Sequence, residues 1–336
     1  MSKSIPSLLV NHPESKSFLA TAFAWNGSVT PKVMHRVVIA ALYAMCVYLL
    51  SVRVPHLMIP ITPFEYSGAV LALILVLRVN AGHDRWWEAR KLWGSIVNQS
   101  RNLSITALAY GKSNGELSRR IASWAAAWPY IMRSSLRGNH DIEDVGRFIG
   151  IENVKWLKTQ PHMPSIVGLH IANMLQDLKI KGSMDGVSFL RAETERSALI
   201  DAVGACERIK STRMPFVLAV KTRRFIAFFL LLLPIALVDR VGWMTPLVTA
   251  LAAYPLLSLD EIGAELQNPF SLNNLSHLPL DAICDTISAN IMSLIAVADV
   301  QVEGGFGSLP APQGRQRIMT PQSSTIMSLP TGDVSL

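Results

Sequence analysis

Apolar residues gather into four runs, and a long stretch of helical, amphipathic spacing separates the second run from the third. The first run, 37–52, is entered from Pro31, Lys32 and Arg36. A bilayer crossing needs about 20 residues, and this run reaches that length at 36–54 if Arg53 extends its charge to the interface. Pro55-His56 closes it. The second run, 57–78, carries Glu65 as its only formal charge before Arg78. It continues without a breaker into a segment holding Arg85, Arg90, Lys91 and Arg101. The pattern predicts one long helix that leaves the apolar medium near Arg78. Pro60 and Pro63 fall at or before its first turn, where a missing N–H breaks no helical hydrogen bond.

The third run, 224–239, follows Lys221, Arg223 and Arg224, and Pro234 predicts a kink within it. Residues 239–242 read as a tight turn into the fourth run, 243–260, whose helix continues towards Asn268-Pro269. The intervening 79–223 has helical spacing in 121–136 and 191–209, with turn signals at Asn114-Gly115, Gly138-Asn139 and 161–164. It and 261–300, which contains a further helix over 276–298, form a helical body outside the crossings. The ends differ from both. In 1–30 a short apolar stretch is broken by Asn11-His12-Pro13 without a cleavage signal, so the first crossing directs insertion. The tail 301–336 is rich in Gly, Pro, Ser and Thr and is expected to be flexible.

Charge sets the orientation. Lys32 and Arg36, then Arg78 to Lys91, then Lys221 to Arg224 all fall on one side of four crossings, so both termini and the body are placed in the cytoplasm. Of 336 residues only 16% are charged, whereas a soluble domain carries about a quarter. The net charge of +7 comes without any nucleic-acid-binding motif, and many of its basic residues flank the apolar runs. Cys46, Cys206 and Cys284 are far apart and odd in number, which fits neither a disulfide framework nor a metal site. The histidines are scattered, Cys206-Glu207 has no histidine near it in sequence, and Gly304-Gly305-Phe306-Gly307 follows no strand. No enzyme chemistry, cofactor or metal is therefore expected.

Three motifs carry a family resemblance. The first is Pro63-Phe64, Gly68, Arg78-x-Asn80, Asp84-Arg85-Trp86-Trp87-Glu88-x-Arg90, Leu92-Trp93-Gly94 and Arg101. The second is Ala205-Cys206-Glu207-Arg208-Ile209 with Met214-Pro215-Phe216. The third is Ile262-Gly263-x-Glu265-Leu266-x-Asn268-Pro269-Phe270 with Leu278-Pro279-Leu280-Asp281. In this order and spacing the chain resembles bestrophin-like proteins, particularly the bacterial branch.

The resemblance implies an all-α, multi-pass protein of the cell inner membrane. It would assemble with identical subunits, as a homopentamer among membrane lipids, around a pore for small inorganic ions. Chloride is the family default, a monovalent cation channel of the same architecture is the alternative, and a non-conducting membrane scaffold is the rival. Carried over by position, the neck is Ala69, Leu73 and Leu77, and Val187 forms a cytosolic aperture. The i, i+4 spacing puts the three neck positions on one helix face, where lining a pore and packing against a helix are both open readings. Apolar rings would gate by dewetting, with Ala69 too small to close the outermost level. Glu65 is the candidate outer-mouth charge. Arg78 and Arg85 either face the lumen, meet headgroups, or pair with Asp84 and Glu88. Trp86, Trp87 and Trp93 are expected at the inner interface or between subunits. The segment 271–275, which is acidic and holds calcium in animal members, carries no carboxylate here, so no calcium gating is expected through it.

Overall fold

The computed structural model describes residues 18–25, 27–53 and 59–304. The expected tail beyond 304, most of the N-terminal segment, and residues 54–58 with the first two positions of the second run lie outside this set. Among the described residues the chain is helical, without strands. The helices are α1 (Phe18–Ala22), α2 (Thr30–Ser51), α3 (Thr62–Tyr110), α4 (Gly115–Arg137), α5 (Gly146–Ile149), α6 (Ile151–Lys158), α7 (Met163–Ile180), α8 (Gly186–Ser211), α9 (Phe216–Val241), α10 (Thr245–Glu265) and α11 (Leu280–Gly304). The chain divides into two units, 1–295 and 296–336; of the second, only the end of α11 is described.

The 49 residues of α3 form one unbroken helix, as the missing breaker requires. Pro31, Pro63 and Pro246 stand at the first turns of α2, α3 and α10, where fixed φ helps and the absent N–H costs nothing. Asn114 caps α4 by accepting from the Leu117 amide, and Gly138, at φ 73°, ends it in the left-handed region. Asp185 caps α8 through the amides of Val187 and Ser188, at 2.8 and 3.0 Å. The turn between the third and fourth runs differs from expectation. Helix α9 absorbs 239–241, and the reversal occurs at Gly242, whose φ of 52° releases the chain into α10. Likewise α2 ends at Ser51, so Arg53 lies in the turn after it.

Two packed regions result. In the first, α2, α9 and α10 pack around the upper part of α3, with Leu71, Leu75 and Ile226 at its small core. Its outside is apolar and uncovered, as with Leu42, Phe228 and Leu251. In the second, lower α3 packs with α4 and α8, and α7 with α4 and α8. There Trp93, Trp128 and Tyr130 are fully buried, each removing enough apolar surface to contribute about 2–3 kcal/mol.

By length and hydropathy four stretches could cross a membrane: Thr30–Ser51, Thr62–Tyr110, Gly186–Glu265, which contains both α9 and α10, and Leu280–Asp299. The last falls on the helix expected in the body, and its burial explains its composition. Cys284, Ile287 and Ile291 are buried in the core that holds Trp93 and Trp128. Its polar side is fastened to α4, where Asp281 accepts from Arg133 (2.8 Å) and Arg137 (2.9 and 2.7 Å), and Tyr130 donates to Asp285 (2.6 Å).

Candidate functional site on the outward face of α3

Upper α3 has two unlike faces. Leu71, Leu75, Arg78 and Gly82, spaced by three and four, form the buried face turned into the bundle. Ala69, Leu73 and Leu77 lie roughly opposite at 100° per residue, and all three are exposed in the protomer. Leu73 and Leu77 stay 59% and 60% exposed, so packing within their own chain does not account for them. From one turn later the same stripe is mostly polar: Asn80, Asp84 and Lys91 are exposed on it, with the exposed indole of Trp87 among them. Glu65 is also exposed, on the flank of the stripe rather than at its centre.

Helix α8 runs antiparallel to lower α3. Its C-terminal end meets the upper body, where Arg208 donates to Glu88 (2.6 Å) and the Ile209 carbonyl accepts from Arg85 (2.5 Å). Its N-terminus, with Val187 80% exposed, is therefore at the far end. At 1.5 Å per residue, the levels of Leu77 and Val187 are separated by about 45 Å along these two helices.

Arg78 leaves the outward stripe altogether. Its side chain is 2% exposed and lies 2.5 Å from Asp260, itself 3% exposed, while Arg223 reaches the other oxygen of Asp260 at 3.0 Å. The crossing of α3 and α10 is close because two glycines meet there. A Cβ on Gly82 would sit 3.1 Å from the Leu266 Cβ, and one on Gly263 would sit 3.3 Å from the Arg78 Cγ. Arg85 is likewise committed to backbone carbonyls of Ile209 and Gln267, and burial lowers its pKa. Of the three readings open for these arginines, pairing is the nearest to what is found, but with partners distant in sequence rather than with Asp84 and Glu88.

The remaining motif residues divide between scaffold and surface. Trp93 is core rather than interface, and Trp86 donates to the Ser276 carbonyl at 2.7 Å. Trp87 and Arg90 stay exposed. Phe270 is buried after Pro269, and Asn268 accepts from its amide. Glu265 ties the loop that follows α10 to α2 through Lys32, and its carboxylate accepts from the Leu275 amide at 2.6 Å. Sequence reasoning missed Asp260 and Glu265 as anchors; their positions at the inner end of an apolar helix were the available signal.

Cys206 is fully buried, and burial pushes its thiol up to about 12, which suppresses the thiolate that a nucleophile requires. Neighbouring Glu207 instead meets His162, 2.7 Å away, whose Nδ1 caps α7 by accepting from Ser165.

Apolar helices with uncovered outer surfaces, joined to a polar helical body, define a multi-pass membrane protein. Residues 9–293 match the family described as Bacterial/Fungal Bestrophin protein, and the chain belongs to that family. A voltage-dependent anion channel-forming protein of Nostoc sp. (strain PCC 7120) is 32% identical over 291 residues, 84% of this chain and 93% of the relative. One from Mesorhizobium japonicum is 32% identical over 296 residues, 87% of this chain and 94% of the relative. The crystal structure of a bacterial bestrophin homolog from Klebsiella pneumoniae superposes with a TM-score of 0.73 at 26% identity, covering 79% of this chain and 98% of that one.

Proposed function

We propose that identical copies of this chain, five by family likeness, surround an axis lined by the outward face of α3 and pass small monovalent anions. The observation that carries this reading is the apolar, uncovered stripe Ala69, Leu73 and Leu77, which gives way to a mostly polar continuation of Asn80, Asp84 and Lys91 around Trp87. A ring of leucines offers a permeant ion no substitute for its hydration shell, so such a neck conducts only when wetted. Below it the α8 tips, with Val187, form a second apolar ring about 45 Å away on the helix geometry. The crossings are 36–54, 57–78, 224–239 and 243–260, with α11 in the cytoplasmic body and both termini on the same side of the inner membrane. The names of the relatives support anions.

One observation favours the cation reading. Arg78 and Arg85 are withdrawn from the outward stripe, whereas Glu65 and Asp84 are exposed. Reversal potentials in asymmetric potassium chloride, recorded from purified protein in planar bilayers, decide between the two. Anion passage predicts reversal near the chloride equilibrium potential; reversal near that of potassium replaces it, and an absence of current from assembled protein favours the scaffold.

A further inference from the structure

A second feature of the bundle lies away from the α3 face and takes no part in the proposed conduction. Between α2, α9 and α10 is a cavity of about 420 Å³, walled by side chains such as Ile39, Ala40 and Leu230. Arg36 and Arg223 stand at one end of it, beside Asp260. At the other end the Tyr43 hydroxyl donates to the Leu231 carbonyl (2.9 Å), and past Tyr43 a further cavity of about 220 Å³ follows the α2–α9 seam to Ser51 and Val238.

The depth suits an acyl chain. One leaflet of hydrocarbon is about 15 Å deep, half of the usual ~30 Å. At 1.5 Å per residue that distance carries a chain from Arg36 to about Cys46, into the second cavity. The charge suits a particular headgroup. Asp260 is already held by Arg78 and Arg223, and Arg36 lies 3.5 Å from Glu261. Three arginines thus face two acids, and Arg36 and Arg223 remain about half exposed. Lys221 and Arg224, also exposed, flank Arg223 on α9 and add to the excess. A neighbouring apolar helix would cover the exposed donors of these two guanidiniums, beyond those facing Asp260 and Glu261, without offering them an acceptor. A phosphodiester on acyl chains satisfies both ends, because guanidinium donors match phosphate oxygens and the seam takes the tail.

We infer that this groove is a binding site for one anionic phospholipid, its phosphate held by Arg36 and Arg223 and one acyl chain laid along the α2–α9 seam. The site depends on membrane embedding and is independent of ion passage.

The test is native mass spectrometry of the full-length chain, titrated in detergent with dioleoyl phosphatidylglycerol or dioleoyl phosphatidylcholine. The anionic lipid binds in preference. Arg36→Gln and Arg223→Gln each weaken it about fivefold, and together about thirtyfold, with phosphatidylcholine binding unchanged. Ala40→Leu, which fills the slot, lowers occupancy by both lipids. Glycerol 1-phosphate fails to displace the bound lipid; displacement would mark a phosphate site without a lipid and overturn the assignment. Equal affinity for the two lipids overturns it, as does a preference that survives the double arginine variant. So does Ala40→Leu changing the subunit number while lipid binding stays intact, which would make the seam a contact between copies. If the double variant does not assemble, Arg36→Gln and Ala40→Leu alone give the same discrimination.

Discussion

Replacing Asp260 with asparagine probes the joint between α3 and α10. In the wild type the acid is buried against Arg78 and also meets Arg223. The substitution keeps the shape but removes the carboxylate paired with the Arg78 guanidinium, which is 2% exposed. Breaking one side of a buried pair costs about 3–5 kcal/mol, because a charge remains where water cannot reach it. Arg223 is half exposed and can turn to the headgroup region, so Arg223→Gln costs about 0–1 kcal/mol. With an unfolding entropy of ~2.1 cal/mol/K per residue over roughly 300 residues, the Asp260→Asn loss is about 5–8 °C in the midpoint. Thermal loss of the assembled species, followed by fluorescence-detected size exclusion, measures it. Arg78→Met combined with Asp260→Leu should recover most of the loss, since neither charge then remains buried. An Asp260→Asn midpoint within about 1 °C of wild type would refute this reasoning, as would an equal loss from Arg223→Gln.

Other perturbations test separate parts of the account. Gly263→Val pushes a side chain into the Arg78 stem, so it should cost about 1–3 kcal/mol by overpacking in the same thermal assay. Leu73→Ala with Leu77→Ala should raise single-channel conductance or alter selectivity in bilayers, and unchanged currents from assembled protein count against the neck. Asp281 is held below the usual carboxylate range, first by its hydrogen bonds from Arg137 and then by the charges of Arg137 and Arg133. Its folded pKa is the lower one, so its contribution is complete above the unfolded value of ~3.9 and fades as pH falls through the folded pKa. The stability gap between wild type and Asp281→Asn should therefore be flat from about pH 8 to 5 and close below about pH 4, measured by denaturation of the solubilised protein.

The length of α3 and the apolar segments now in α2, α9 and α10 were legible because hydrocarbon demands uncharged runs and prolines mark first turns. The two faces of α3 were legible as a spacing, since 69, 73 and 77 cannot share a face with 71, 75 and 78. What the outward face meets was not legible, because the same leucine spacing serves a helix neighbour and a pore. Arg78 shows the limit most clearly. Its neighbours in sequence include Asp84, yet its partner is Asp260 on another helix, and only the glycine-mediated approach of α3 to α10 selects that acid. Helix α11 shows a second limit. Its hydropathy matches a crossing, while its isoleucines are buried in the core cluster that also holds Trp93 and Trp128. Hydropathy counts apolar residues without recording whether lipid or protein covers them.

The central claim, that Leu73 looks onto water shared by the assembled copies, is most directly tested by thiol accessibility. Leu73→Cys and, as a control, Leu42→Cys on the outer side of α2 are placed in a Cys46→Ser background and reconstituted into vesicles; Cys206 and Cys284 are buried. A charged, membrane-impermeant methanethiosulfonate should modify the Leu73→Cys protein and suppress its chloride flux while leaving the Leu42→Cys protein unaffected. Modification of the Leu73→Cys thiol only by a lipid-soluble maleimide, with flux undisturbed by the charged reagent, would place that face of α3 in lipid and contradict the account.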